Sequence, residues 1–536
     1  LKKYVLALCV FLLLAGVIHP VKVSGLEAPG QPAFHDISGS YAKEAILRLA
    51  KRGIISGDGN GAFLPKNHIS RAEFTAMLTR LLKLSPVNND LSAFRDVRPA
   101  AWYYGYVHAG LNVSIVQGSG AYFYPNAQIT RQEAAVMMVR AMKESGKGSG
   151  SSAWRYLDSG SIADWAWSAV GRATETGWLQ GSEGRFRPQD PITREETAML
   201  LDRVLRTGNV QSVLDHRQEG ASVRMGWLYN GTTSQYISYA KRAGLNVLVP
   251  RWYYLNSSGK LSDYTDTALL NWAHKNGREV WAMIGNRSNA EMTHQILGSR
   301  ALRQSVISSI ADNTVKYKLD GINIDFENVM PQDRENLTLF VTQLSAEMKR
   351  LGAKLSIDVS PDLNSDWTAA FDYAALGRQL DYVVLMSYDE HWGGSPKAGS
   401  VSSLPWSESA LKRLLTQIRA SQAIVAFPLY TRDWKLASSV SSEDITLVEQ
   451  GRRIRSLQAP ISWNAEVGQY EAGYRSGGVQ HRIWTEDARS LSVKHLMASA
   501  YQVAGFAYWY PGAETVDVWK AIPNAQRYAS YSFYIQ

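Results

Sequence analysis

Three polar side chains, Asn323, Asp325 and Glu327, alternate with Ile322, Ile324 and Phe326 in the stretch Leu319–Asn328, LDGINIDFEN. A period of two is that of a β-strand, so the three polar groups share one face. Two carboxylates and an amide aimed into one small space hold one another's protons, which is how an acid/base site is built. The plainer alternative is an edge strand with its acids in water.

These residues also carry a resemblance. DGINIDFE resembles the fourth-strand signature DxxDxDxE of family 18 glycoside hydrolases, the chitinase-like (β/α)8 barrels. Asp320, Asp325 and Glu327 match it, and Asn323 stands where that family most often has another Asp. The form DG-x-N-x-DFE resembles a branch that includes spore-cortex and cell-wall N-acetylglucosaminidases, which shifts the expected substrate toward peptidoglycan.

The resemblance implies a substrate-assisted reaction, in which the sugar's own 2-acetamido oxygen is the nucleophile and one strong protein acid suffices. Glu327 is then the general acid and base, and Asp325 holds the acetamido N–H and favours a protonated Glu327. Met386-Ser387-Tyr388-Asp389 resembles the family's sixth-strand MxYD. It implies that Tyr388 positions the acetamido carbonyl, with Met386 and Asp389 lining the site. Trp509 falls where the family places the aromatic floor of the −1 subsite, and Asn323 completes the substrate-binding set. Asp320 precedes the alternation and faces away, so its role is structural. Trp252, Trp392 and Trp406 are candidates for stacking on distal sugars.

Eight short apolar runs separated by helical segments are what positions such a site: Ser222–Leu228, Val247–Trp252, Glu279–Ile284, Gly321–Glu327, Lys354–Val359, Tyr382–Tyr388, Ala423–Leu429 and Phe506–Tyr510. This pattern predicts a parallel α/β fold, and eight runs in about 300 residues suit a TIM barrel over 221–530. Active-site groups of that fold gather at the carboxyl ends of the strands, where Glu327 lies. Residues 431–504 exceed a normal connection and predict a small inserted α+β lobe before the last strand.

The first two hundred residues repeat a unit of about fifty residues three times. Phe34-His35-Asp36, Phe94-Arg95-Asp96 and Tyr156-Leu157-Asp158 open the units, and Ile69-Ser70-Arg71-Ala72-Glu73, Ile129-Thr130-Arg131-Gln132-Glu133 and Ile192-Thr193-Arg194-Glu195-Glu196 recur in register. Ser70, Thr130 and Thr193, each three residues before a Glu, predict capping boxes that start helices. Capping leaves unexplained a cation in the first turn, where the helix dipole disfavours it. Arg71, Arg131 and Arg194 are either part of anion sites or paired with an acid of the same repeat.

The three units, at 33–85, 93–143 and 155–206, resemble S-layer homology domains, an all-α trio that holds exported bacterial proteins on a pyruvylated secondary wall polymer. The resemblance implies polymer contacts from Asp36, Arg71, Asp96, Trp102, Arg131, Asp158, Trp165 and Arg194, with Tyr41 in the aromatic place of the first repeat. Lys143–Ser152 reads as a flexible Gly/Ser linker. Thr207–Gly220 reads as the polar joint to the barrel.

Residues 1–25 read as an export signal: Lys2 and Lys3, an apolar run from Tyr4 to Ile18, and small residues before a cleavage point after Gly25. The run is shorter than the ~20 residues a spanning helix needs, so no membrane association is expected after cleavage. The single cysteine, Cys9, lies in that signal, so disulfides and thiolate metal sites are excluded from the mature chain. Loss of Lys2, Lys3 and Lys22 lowers the formal charge of +9 by three, leaving a basic chain drawn to anionic wall polymers. No basic run or binding motif points to nucleic acid, and neither HExxH nor a phosphate-cradling loop points to a metal or cofactor.

The sequence thus predicts a secreted, wall-attached hydrolase of β-1,4-linked N-acetylglucosamine glycans, with peptidoglycan as first choice. A surface-displayed chitinase and a non-catalytic glycan-binding or S-layer protein are the alternatives.

Overall fold

The computed structural model describes residues 34–147, 151–216, 223–362 and 365–535. The expected signal, residues 148–150 of the Gly/Ser stretch and residues 217–222 lie outside these.

In the N-terminal third, three helices begin where the capping boxes predict: Arg71–Leu81, Arg131–Ala141 and Arg194–Leu205. Ser70, Thr130 and Thr193 each accept the N–H of the Glu three residues on, and that Glu side chain returns to the cap N–H. The segments just before these helices meet around a pseudo-threefold centre. Ile69 N–H donates to Ile192, Ile192 to Ile129 and Ile129 to Ile69, at 3.0–3.1 Å. All three isoleucines are fully buried.

Eight parallel strands close the C-terminal barrel: β1 (Val223–Leu228), β2 (Val247–Pro250), β3 (Glu279–Gly285), β4 (Gly321–Asp325), β5 (Lys354–Val359), β6 (Tyr382–Met386), β7 (Ala423–Pro428) and β8 (Gly505–Trp509). Pairing runs in order from β1 to β8, β8 returns to β1, and every pair is parallel. Ile322, Ile324 and Phe326 pack outward into the core shared with the surrounding helices. The lumen is filled by Met225, Trp227, Val249, Trp281, Met283 and Val384, among others. Both faces of β4 are therefore covered, which removes the edge-strand alternative. Gly321 opens β4 because Trp281 lies against it, where a Cβ would come within 2.7 Å of the indole. Asp320 serves the structure, accepting the Val280 N–H at 2.8 Å and pairing with His274 at 2.9 Å.

The inserted lobe is smaller than expected. Its antiparallel five-stranded sheet runs from Tyr430 to Trp484, whereas residues 488–499 form a barrel helix. That helix belongs to the barrel because its buried His495 bonds Tyr508 of β8 at 3.0 Å and packs on Phe427 and Phe506.

The two parts share a core, which a polar joint does not predict. Residues after β8 form the helix Val518–Ser530, and Ala525, Tyr528 and Tyr531 enter the hydrophobic cluster of the helical trio. Tyr531 donates to Leu82 O and Tyr528 to Arg140 O, both at 2.7 Å. Lys143, the first residue of the expected flexible linker, is held in place, donating to Ala529 O at 2.9 Å and Tyr531 O at 2.8 Å. Residues Val210–Asp215 of the expected joint are a helix that buries Val210 and Leu214. Tyr531→Ala is expected to destabilise the helical trio by roughly 3 kcal/mol, through lost ring burial and an orphaned carbonyl. A drop in the denaturant midpoint of the trio, followed by its own near-ultraviolet signal, measures this.

Candidate functional site

β4 delivers Asn323 and Asp325 to the upper lumen, and the chain carries Glu327 two residues past the last paired strand residue. Asn286, fully buried at the end of β3, fixes this overhang. Its side-chain oxygen accepts the Glu327 N–H at 3.0 Å and its amide donates to the Glu327 carbonyl at 2.7 Å. Ser288 donates its hydroxyl to the Glu327 carboxylate at 2.7 Å.

Beside Asp325, at the same level of the next strand, lies a carboxylate absent from the sequence-based set. Asp358, buried on β5, accepts from Asn323 Nδ2 at 2.8 Å and from the indole of Trp227 at 3.2 Å. The same indole N–H also reaches Asn323 Oδ1 at 3.2 Å, and Asn323 donates a second time to Ser356 at 3.0 Å. Where the family signature has a second Asp, this chain thus has an amide bound to a carboxylate from the next strand. The Asn323 oxygen takes the indole proton, and its NH2 faces the two acceptors of β5.

Burial raises Asp358 well above the usual carboxylate range, and the charge of Asp325 adds to it against the donors Asn323 and Trp227. Asp325 is pushed up to about 7, first by burial and then by Glu327, with Arg251 opposing. Like charges this close cannot all be ionised, so the group keeps protons at neutral pH.

Tyr388 lies just past β6, half-buried. Its hydroxyl is held well above its ordinary value by burial and by Asp358, Tyr430, Asp325 and Asp389, and its ring lies 6.4 Å from that of Tyr430. Met386 ends β6, half-buried. Asp389 accepts from Tyr430 at 2.6 Å and Arg432 at 3.3 Å, both from the lobe. Trp509 ends β8, with its ring 6.0 Å from Trp227 and 5.2 Å from Tyr229. The structure therefore brings Asn323, Asp325, Glu327, Met386, Tyr388, Asp389 and Trp509 to one barrel mouth. Trp252 is core, while Trp392 is exposed and Trp406 half-buried.

With this geometry in place, the comparisons with known proteins decide the family. The model for glycosyl hydrolases family 18 matches residues 227–513, just over half of the chain. The chain belongs to glycosyl hydrolases family 18. S-layer homology domains match residues 33–75, 93–135 and 155–198, so this family 18 chain carries a surface-attachment trio. It is 27% identical over 318 residues to the uncharacterized glycosylase YvbX of Bacillus subtilis, covering 57% of this chain and 91% of that protein. It is 28% identical over 277 residues to the cortical fragment-lytic enzyme of Bacillus anthracis, covering 49% of this chain and 64% of the relative. The Bacillus cereus spore cortex-lytic enzyme SleL superposes with a TM-score of 0.52 at 26% identity, over 56% of this chain and 74% of that one.

In the S-layer homology trio the three arginines are paired with acids, and the acids belong to another repeat, not to the same one as the alternative reading had it. Arg71 pairs with Glu133 at 2.8 Å, Arg131 with Glu196 at 3.0 Å and Arg194 with Glu73 at 3.1 Å, a closed ring. Each also donates Nε to the Phe carbonyl of the partner's loop, Phe123, Phe186 or Phe63. The partner is distant because the first turn of each helix abuts the loop of the following unit. Asp36, Asp96 and Asp158 spend both carboxylate oxygens on backbone N–H groups of those loops. Tyr41, Trp102 and Trp165 remain more than half exposed. One groove gathers Asp58, Asn67, Glu73 and Arg80 of the first repeat with Trp102 of the second and Arg194 of the third.

The raised Asp325 has a stability consequence. An acid whose folded value exceeds its unfolded value withdraws stability as pH rises through that interval, here from about 4 to about 7. Asp325→Asn, which does not titrate, is expected to melt above the wild type at pH 8, with the gap closing toward pH 4. Melting curves across that range check it.

Proposed function

We propose that this chain is a cell-wall-anchored glycoside hydrolase that cleaves β-1,4 bonds of N-acetylglucosamine glycans, with peptidoglycan as substrate, by retaining, substrate-assisted catalysis. The observation that carries this reading is the convergence of Glu327, Asp325, Tyr388 and Trp509 at one barrel mouth, within the span that matches family 18. Peptidoglycan is favoured by likeness to cortex-lytic relatives and by a trio suited to a wall.

In this mechanism the sugar ring lies on Trp509 and its 2-acetamido group descends between Asp325 and Tyr388. The Tyr388 hydroxyl donates to the acetamido oxygen and Asp325 receives the N–H, which aims that oxygen at the anomeric carbon. As it attacks, the bond to the leaving oxygen breaks and Glu327 gives that oxygen its proton. A cyclic oxazolinium results. Glu327, now a carboxylate, takes a proton from water, which opens the ring from the same face the leaving group left.

The buried acids enter the cycle sharing protons, and the Asn323–Asp358 contact beneath them sets how many. Asp358 stands in for the signature carboxylate that Asn323 lacks, one strand over. It acts through Asn323 and Asp325 and is a positioning residue.

The anchor reading is separate. The groove at Trp102 and Arg194, with its equivalents at Trp165 and Tyr41, takes an anionic wall polymer whose pyruvyl ketals supply the carboxylate, and exported chains reach it after signal cleavage.

Glu327→Gln is expected to lower release of reducing ends from peptidoglycan by on the order of 10³-fold while glycan binding persists. Activity equal to wild type would remove Glu327 from its role, and cleavage of chitin alone would move the substrate to chitin. For the anchor, the full chain is expected to sediment with walls and to stay in solution once secondary polymer has been extracted. Trp102→Ala together with Trp165→Ala should weaken sedimentation at least severalfold, as loss of stacking on two sugars requires.

A further inference from the structure

The barrel mouth holds a cation that nothing in the proposed reaction uses. Arg251 follows β2 directly, at the same end of the barrel as Glu327. Its guanidinium lies 5.0 Å from the ring centre of Tyr229, 5.8 Å from that of Trp509 and 5.9 Å from that of Tyr254. Among the described residues it has no hydrogen-bond or ion-pair partner, and its Nε is buried without an acceptor. On the rim above, Arg287 lies 4.1 Å over the other aromatic neighbour, Tyr254, and is likewise without an ion pair among the described residues.

On the opposite wall a guanidinium is paired with acids. Arg432 there is answered by Asp389 and Asp444. A partly buried guanidinium without acceptors is costly, and ring faces replace only part of the lost hydration. Its planar fork of donors matches a carboxylate, which a neutral sugar does not offer. Tuning of Asp325 is the competing role. Arg251 is the weakest of the three influences on that acid, and Asp325 remains raised to about 7 in its presence.

We propose that Arg251, with Arg287 at the rim, forms a carboxylate subsite beside the Trp509 floor that takes the free lactyl carboxylate of a muramic acid residue in the bound glycan. This rests on the reading of the mouth as a glycan site. It adds a preference for strands whose lactyl groups carry no peptide, since an amide-linked lactyl group presents no charge. Chitin, which has no carboxylate, leaves the arginine unanswered. The protein then follows, in sequence, a reaction that cleaves the lactyl–peptide amide.

The test uses the full chain with Glu327→Gln to stop turnover. Calorimetry compares a GlcNAc–MurNAc tetrasaccharide, its lactyl methyl esters and chitotetraose. The acid is expected to bind about tenfold more tightly than its ester, the scale of one charge-assisted pair. Adding Arg251→Gln should cost the acid about tenfold more than it costs the ester or chitotetraose. Adding Arg251→Lys, which keeps charge without the fork, should narrow the gap to severalfold. Equal affinity for acid and ester overturns the proposal, as does an equal loss on all three ligands in Arg251→Gln. The acid–ester comparison needs no change at Arg251, so it decides even if that variant does not fold. Wild-type turnover reports separately on the proposed hydrolysis. A clear acid–ester gap without turnover refutes the hydrolysis and keeps the subsite, while turnover without a gap does the reverse.

Discussion

A carboxyl group removed from water keeps its proton unless donors or cations answer its charge, and the upper lumen of this barrel is arranged around that constraint. Asp325 and Asp358 are sunk side by side, and Glu327 stands above them. Asn323 and the indole of Trp227 give Asp358 its two donors, and Asn323 spends its remaining proton on Ser356. These contacts join three different strands. A change at any of them reaches the protonation of the acids above before it reaches the shape of the barrel.

The same constraint explains why one strand was so readable. Side chains of a strand alternate without exception, so Ile322, Ile324 and Phe326 had to face the helices once Asn323 and Asp325 faced the lumen. Ser356 and Asp358 carry the same alternation on β5, and the parity rule applied there reveals the second buried acid. The support of Glu327 was not legible in this way. It depends on Asn286 and Ser288, which sit in a loop where no period links sequence to direction. Arg251 was hidden for a different reason, since the expected strand ran on to Trp252 whereas β2 ends at Pro250 and leaves Arg251 in the loop at the mouth.

In the helical trio, local signals were sufficient for local structure and silent on everything else. The capping boxes fixed three helix starts to the residue. Each boxed Glu also binds an arginine 62, 65 or 121 positions away in sequence. One carboxylate thus starts its own helix and fastens the next unit, which leaves the units no freedom to slide past one another. The helix Val518–Ser530 looked like the end of a barrel, since its amphipathic pattern does not say which of two cores it enters.

That helix and the residues after it put a late part of the polypeptide into the hydrophobic centre of an early part. The trio therefore cannot finish closing until more than three hundred further residues have been made and folded. A chain arrested during synthesis or export would present an unsealed attachment unit, and attachment would follow only completed catalytic bodies.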